Sequence, residues 1–479
     1  MELLPFELFS ADGYELARQV LQRGIAAVYL IAFITAAAQF PALLGEHGLL
    51  PAPRYLARTA GRGIPTLFRW RYSDRLLLAV AWTGAGAAAL LVAGLPQAGP
   101  PWLPMLAFAL IWFLYLSIVN IGQTFYGFGW ESLLLEAGFL AAFLGSNEVA
   151  PPVTVIFLFR WLVFRLEFGA GLIKMRGDPV WRNLTALYYH HETQPMPNPA
   201  SWYFHHLPRP LHKAEVLGNH FAQLVVPVFL FFPQPVAGIA AGIVVVTQLW
   251  LVLSGNFAWL NVLTIVLAFG AVPDAAVETV LPWLVLPAPE ASATPVWFVV
   301  VVLAATAMML YWGWEPLRNL FRRDQLMNAS FNRWHLSNAY GAFGSITRQR
   351  YEVVLEGTND QPGPGVRWLE YEFRGKPGDP ARRPRQFAPY HLRLDWLMWF
   401  LALGSGGGSW FPVLLDKLLA GDRRVLRLLR TDPFHGTAPL WLRARVYRYR
   451  YSTPAERRAD GVWWVREPAG ILVDPITRR

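Results

Sequence analysis

LLLAVAWTGAGAAALLVAGL, residues 76–95, decides how the rest of the chain is read. It carries no charge over the ~20 residues that a helix needs to cross the hydrocarbon core of a bilayer. Comparable stretches lie at residues 24–40, entered through an amphipathic run at 16–22, and at 103–121, 133–144, 153–173, 216–232, 236–253, 258–272 and 296–312. Residues 280–286 are too short to span and read as an interfacial or re-entrant piece. The pattern predicts a polytopic α-helical bundle of eight or nine spans over residues 1–325.

Composition agrees with a chain partly solvated by lipid. Of 479 residues, 54% are hydrophobic and only 15% charged, against about a quarter charged in soluble domains. Mean hydropathy is +0.30. Cysteine is absent, which excludes disulfides, thiolate nucleophiles and Cys-ligated metals. The net charge of +10 comes from basic residues that flank apolar spans. That placement points to membrane lipid headgroups as partners, not to nucleic acid. Residues 1–14 carry Glu2, Glu7 and Asp12, unlike the basic start of a cleavable signal peptide.

Two polar segments interrupt the bundle. Residues 54–75 hold Arg54, Arg58, Arg62, Arg69, Arg71 and Arg75. Residues 174–213 are dense in His, Tyr, Trp and Pro and read as an ordered interfacial loop. Past Trp314 the character changes. Residues 350–356 and 366–374 alternate apolar and polar as half-buried strands do, with turn chemistry at 357–365 between them. Residues 394–403 and 410–419 are helical in pattern, 444–451 is a strand, and Trp463 and Trp464 begin a last short element. Residues 326–479 are therefore expected to form a soluble α+β, largely β, domain. The glycine run at 404–408 reads as a turn, and no phosphate-binding loop, nucleophile elbow or dinucleotide fingerprint occurs. Counting arginines places 54–75 in the cytoplasm and the acidic N-terminus outside.

Ionisable residues in the spans are the candidate site. Within RWLVFRLEFGAGLIKMRGDPVW, residues 160–181, Arg165, Glu167 and Lys174 lie at or near membrane depth, where a charge is usually paired or faces a polar cavity. Glu167 and Lys174 are two helical turns apart on one face, and Asp178 follows four residues later. Gly169 and Gly171 permit close approach of another helix. One reading is a structural ion pair with Lys174 snorkelling to the interface. The other is a desolvated Lys174 acting as a base. His190, His191, His205, His206, His212 and His220 cluster in the second polar segment. Their spacing matches no metal motif, so interfacial hydrogen bonding is the expectation and no metal is assigned. Gln123, Glu131, Glu136, Asn219, Asn256 and Asn261 recur in or beside spans. They are either interhelical hydrogen bonds or the lining of a polar cavity.

The sequence resembles the lipase maturation factor family in GQTFYGFGWESLLLEAGF (122–139), in 160–181, in YYHHETQPMPNPASWYFHHLPRPLHKAEVLGN (188–219) and in LSGNFAWLNVLTIVL (253–267). The likeness continues in NAYGAFGS (338–345), YEVVLEGT (351–358) and YHLRLDWLMW (390–399). It implies a multi-pass maturation factor or chaperone, in the endoplasmic reticulum membrane for animal members and in the inner membrane for a bacterial-looking chain such as this. It also implies an exported, lipase-like client held by the C-terminal region. A fainter similarity to vitamin K-dependent γ-carboxylases rests on LGEHGLLP (44–51) and the A-G-x-x-K pattern ending at Lys174. It implies an enzyme with Lys174 as catalytic base, acting on a lipid, quinone or peptide in a cavity closed by the His-rich segment, with the N-terminus cytoplasmic. No cofactor is expected; a bound lipid or quinone is compatible with the bundle and, near Lys174, would favour the enzyme reading. Small residues along several spans suit a homodimer.

Overall fold

The computed structural model describes residues 9–283, 294–405 and 408–478. The expected pieces at 280–286 and 404–408, and the acidic N-terminus, therefore lie partly outside the described residues.

Helix α1, Glu15–Leu43, runs 29 residues, so the amphipathic entry and the first apolar span are one element. Helix α2, Asp74–Ala93, is the stretch quoted first. The Ser73 hydroxyl accepts from Leu76 N to cap it, Asp74 sits in its first turn, and Gly94 ends it at φ 82°, a left-handed conformation that glycine adopts without steric cost. Helices α3 (Trp102–Val119), α4 (Gly129–Ala141) and α5 (Val153–Arg176) follow. The His-rich segment is built from short helices, among them α6 (Leu187–Thr193) and α7 (Ser201–His205). Helices α8 (Arg209–Leu224), α9 (Val236–Ser254), α10 (Leu260–Ala268) and α11 (Val296–Phe321) complete the bundle.

Among the described residues, six helices are long and apolar enough to cross a membrane, or seven if Leu260–Ala271 with Asp274–Val280, bent by 108°, counts as one span. This is fewer than the eight or nine expected. Residues 133–144 fall in α4, which is only 13 residues long. Residues 153–173 fall in α5, whose 24 residues could span by length, but Arg160, Arg165, Glu167 and Lys174 make it too charged to face lipid on all sides.

The C-terminal region carries a four-stranded antiparallel sheet, ordered β2-β1-β3-β4. Strand β1 is Arg350–Thr358, β2 Leu369–Tyr371, β3 Trp441–Tyr451 and β4 Trp464–Thr477. Helices α12 (Arg393–Ala402) and α13 (Trp410–Leu419) match their expected positions. Two strand readings need correction. The strand expected over 366–374 is only three residues, because Val366 to Trp368 lie outside any strand. The short element expected at Trp463 is a 14-residue edge strand. A single cluster of buried apolar side chains runs from Leu21 and Phe33 in α1 to Trp396 in α12 and Leu414 in α13. The C-terminal region therefore shares its core with the bundle.

Candidate functional site

Lys174 sits near the end of α5 and is only 6% exposed, so it does not snorkel. Its ammonium donates to Asn219 Oδ1 at 2.9 Å and Gln223 Oε1 at 2.8 Å, both on α8, and lies 4.7 Å from the centre of the Trp181 ring. Asn219 and Gln223 are four residues apart and share one helical face. Gln223 passes the contact on, donating through Nε2 to Glu167 Oε2 at 3.1 Å. From α9, Gln248 donates to Glu167 Oε1 at 2.6 Å, and Asn261 of α10 donates in turn to Gln248 Oε1 at 2.7 Å. Lys174 and Glu167 are thus bridged by an amide, not joined as a direct ion pair. An ammonium has three hydrogens to donate. Here two meet amide oxygens and the group rests on an aromatic face, which suits a held cation.

The two carboxylates of α4 lie five residues apart, about 140° around a helix, and so face different partners. Glu131, fully buried, bonds to Arg393 Nη1 at 2.6 Å and accepts from Tyr115 Oη at 2.5 Å, with His391 Nδ1 at 3.5 Å. Arg393 also donates to Phe125 O and stacks 3.4 Å over the Tyr126 ring. Glu136 pairs with Arg165 of α5 and accepts from Asn338 N, Asn338 Nδ2 and Tyr340 Oη. Arg165 donates to Asn338 O at 2.8 Å. Glu131, Glu136 and Arg165 are therefore answered from the C-terminal region, whereas Glu167 and Lys174 are answered within the bundle. Arg350 completes this wiring: it pairs with Glu352, and its guanidinium donates to the carbonyls of Glu192, Gln194 and Pro195.

The histidines divide by environment. Burial pushes the His190 imidazole down to about 3 and that of His205 to about 4, and holds His191 well below its ordinary value. His190 packs against Phe257 and Phe343. His206 bonds to Trp202 O at 2.7 Å, and His220 Nε2 to Trp181 O at 3.0 Å. His205 Nε2 lies 3.7 Å from Glu192. His191 and His212 approach Glu215.

Of the residues expected to line one polar cavity, the fold brings together Lys174, Glu167, Asn219 and Asn261. Glu131, Glu136 with Arg165, and the histidines form separate groups. Gln123 donates to Leu50 O at 2.9 Å. Asp178 caps the helix Pro179–Arg182 and pairs with Arg348 at 2.9 Å, and that guanidinium holds its carboxyl at about 2. Asn256 accepts from Phe387 N and Ala388 N and donates to Arg385 O, pinning the C-terminal chain to the bundle. Sequence reasoning missed the partners Arg393, His391, Asn338 and Arg350. One sequence feature could have pointed to Arg393: an arginine that, with Asp395, enters a helix that is otherwise apolar.

Comparison with known proteins agrees with this arrangement. A family model described as the lipase maturation factor transmembrane domain matches residues 16–279, and the lipase maturation factor C-terminal domain matches 336–473. Lipase maturation factor 1 of Bos taurus is 40% identical over 513 residues, covering 98% of this chain and 90% of its own length. The Homo sapiens protein of the same name is also 40% identical, over 96% of this chain and 88% of its own. Lipase maturation factor 2 of Gallus gallus is 31% identical over 94% and 80%. No solved structure matches, and the γ-carboxylase likeness finds no support among these relatives. With both domain models matched in order across one continuous core, the chain belongs to the lipase maturation factor family.

Proposed function

We propose that this membrane protein is a maturation factor that binds an exported client, a lipase by the wording of its relatives' names, and assists its folding without turnover. The observation that carries this reading is the form of β4. It is a 14-residue edge strand in which Glu467 to Leu472 are exposed, with Ile471 61% and Leu472 43% exposed. An edge strand offers unpaired backbone groups to an extended partner, and apolar side chains beside them give a folding client a surface to share. The bundle supplies the anchor. Its central charges are consumed by internal partners, which fits a binding role better than proton transfer at Lys174. In a bacterium the chain resides in the inner membrane with β4 on the extracytoplasmic side, where exported proteins fold.

The test replaces Ile471 and Leu472 together with lysine. Apolar interface anchors are worth ~1–2 kcal/mol each, so client capture falls roughly ten-fold or more while the amount of folded membrane protein is unchanged. Secretion of active lipase from cells carrying the variant, measured beside its membrane level, gives the answer. Undiminished secretion overturns the assignment of β4.

A further inference from the structure

One group of side chains is left unexplained by a binding role. His191 lies on α6, and His212 and Glu215 lie one turn apart on a single face of α8. One ring nitrogen of each histidine and one carboxylate oxygen of Glu215 all fall within 4.8 Å of one another. His191 is 1% exposed and His212 2%.

Within this group the hydrogen bonds are incomplete. Both ring nitrogens of His191, Nδ1 of His212 and Oε2 of Glu215 are buried with no hydrogen-bond partner. Leaving such an atom bare costs about 1–3 kcal/mol, and only one nitrogen of each ring can face a shared point, so one from each histidine with a Glu215 oxygen makes three donors that call for an occupant. The outer sides of two ligands are already held. His212 Nε2 meets the His205 carbonyl oxygen at 3.3 Å. A carbonyl only accepts, so Nε2 carries the hydrogen and Nδ1 keeps a bare lone pair. Trp250 Nε1 donates to Glu215 Oε1 at 2.7 Å, which fixes the carboxylate and leaves Oε2 free. Ligands fixed from behind by carbonyl and indole partners are a signature of metal coordination.

We propose that His191, His212 and Glu215 bind one divalent transition metal ion, Zn2+ above all. Two imidazoles and a carboxylate in a cysteine-free setting are a zinc-type donor set, with a fourth position left to water. Coordination bonds of ~2.0–2.2 Å require the three side chains to draw in slightly, within reach of small rotations about their χ angles. His191 Nε2 lies 4.0 Å from Glu215 Oε1, the oxygen that Trp250 holds, so the carboxylate turns to present Oε2 to the ion. Bound there, the ion ties the His-rich segment to α8. That segment also carries the carbonyls of Glu192 and Gln194 to which Arg350 donates, so the metal steadies the ground on which the C-terminal region rests.

The test uses the full chain purified in detergent, stripped with a chelator and then titrated with ZnCl2 or CoCl2. The expected result is about one Zn2+ retained per chain by elemental analysis. Co2+ should give visible absorption bands of a low-coordinate, thiolate-free site. His191→Ala, His212→Ala and Glu215→Gln each weaken Zn2+ binding at least ~100-fold, while Lys213→Ala, an exposed neighbour on α8, binds as the parent does. Glu215→Gln keeps the shape and the Trp250 bond, so it remains informative if a histidine variant fails to fold. Parent protein that takes up no stoichiometric Zn2+, or a Glu215→Gln chain that binds as tightly as the parent, overturns the proposal. In that case a proton or a water satisfies the cluster.

Discussion

Arg393 shows what a single residue does in this molecule. It is fully buried and reaches Glu131, the Phe125 carbonyl and the Tyr126 ring at once. A buried ion pair is no guarantee of stability, because desolvating both charges offsets their attraction. Removing one partner is different, since it leaves a bare charge where water cannot reach. Arg393→Ala should therefore destabilise the protein by ~3–5 kcal/mol. The double change Arg393→Met with Glu131→Gln should recover most of that loss. Thermal unfolding of both variants and the parent in one detergent measures it. A single variant as stable as the parent would show that Glu131 is solvated or protonated. Lys174 makes the opposite point about residues. Its sequence context invited a catalytic reading, and its contacts are those of a tethered cation.

Among the elements, α5 packs against both the bundle and the C-terminal chain. Gly171 faces Leu224 of α8, as a small residue at a helix crossing should. Gly169 faces something else: a Cβ there would stand 2.4 Å from the backbone oxygen of Tyr340. Backbone cannot swing aside as a side chain can. Gly169→Ala should thus cost ~1–3 kcal/mol and make the 326–345 segment easier to cleave. Limited proteolysis of intact membranes, with equal cleavage of variant and parent as the contrary result, decides it. The spans could be read from the sequence because a run of apolar residues is a local signal. So could the places of β1, β3, α12 and α13, although β1, expected to be half-buried, is covered on both faces, with Glu352 and Glu356 buried as well. The 14 residues of β4 could not be read. Pro468, Gly470 and Pro475 break its pattern, and only an edge strand tolerates prolines. The pairing of Glu131 with Arg393 was hidden for a different reason. Nothing in either neighbourhood names the other, so the sequence offered one polar cavity where the fold places separate groups.

At the scale of the whole molecule, the bundle and the C-terminal region are wired together at several points, among them Glu136 and Arg165 to Asn338, Glu131 to Arg393, Asn256 to Phe387 and Ala388, and Arg350 to the His-rich segment. Deleting residues 336–479 should therefore do more than remove a client-binding surface. It strips partners from carboxylates buried at the bundle's centre. The remaining fragment is expected to aggregate on size-exclusion chromatography under conditions that keep the full chain monodisperse. A monodisperse fragment would show that the bundle stands alone. Loss of activity after truncation thus says little about where a client sits, and point changes on β4 are the cleaner probe. The sequence distance across these seams carries one more consequence. Arg393 follows its acceptor Phe125 by 268 positions. Glu131 is therefore made long before the ribosome has made its counter-ion, so the bundle's helices exist before that carboxylate can be paired. A premature stop codon anywhere upstream of position 393 would leave the translocon holding helices that nothing can finish.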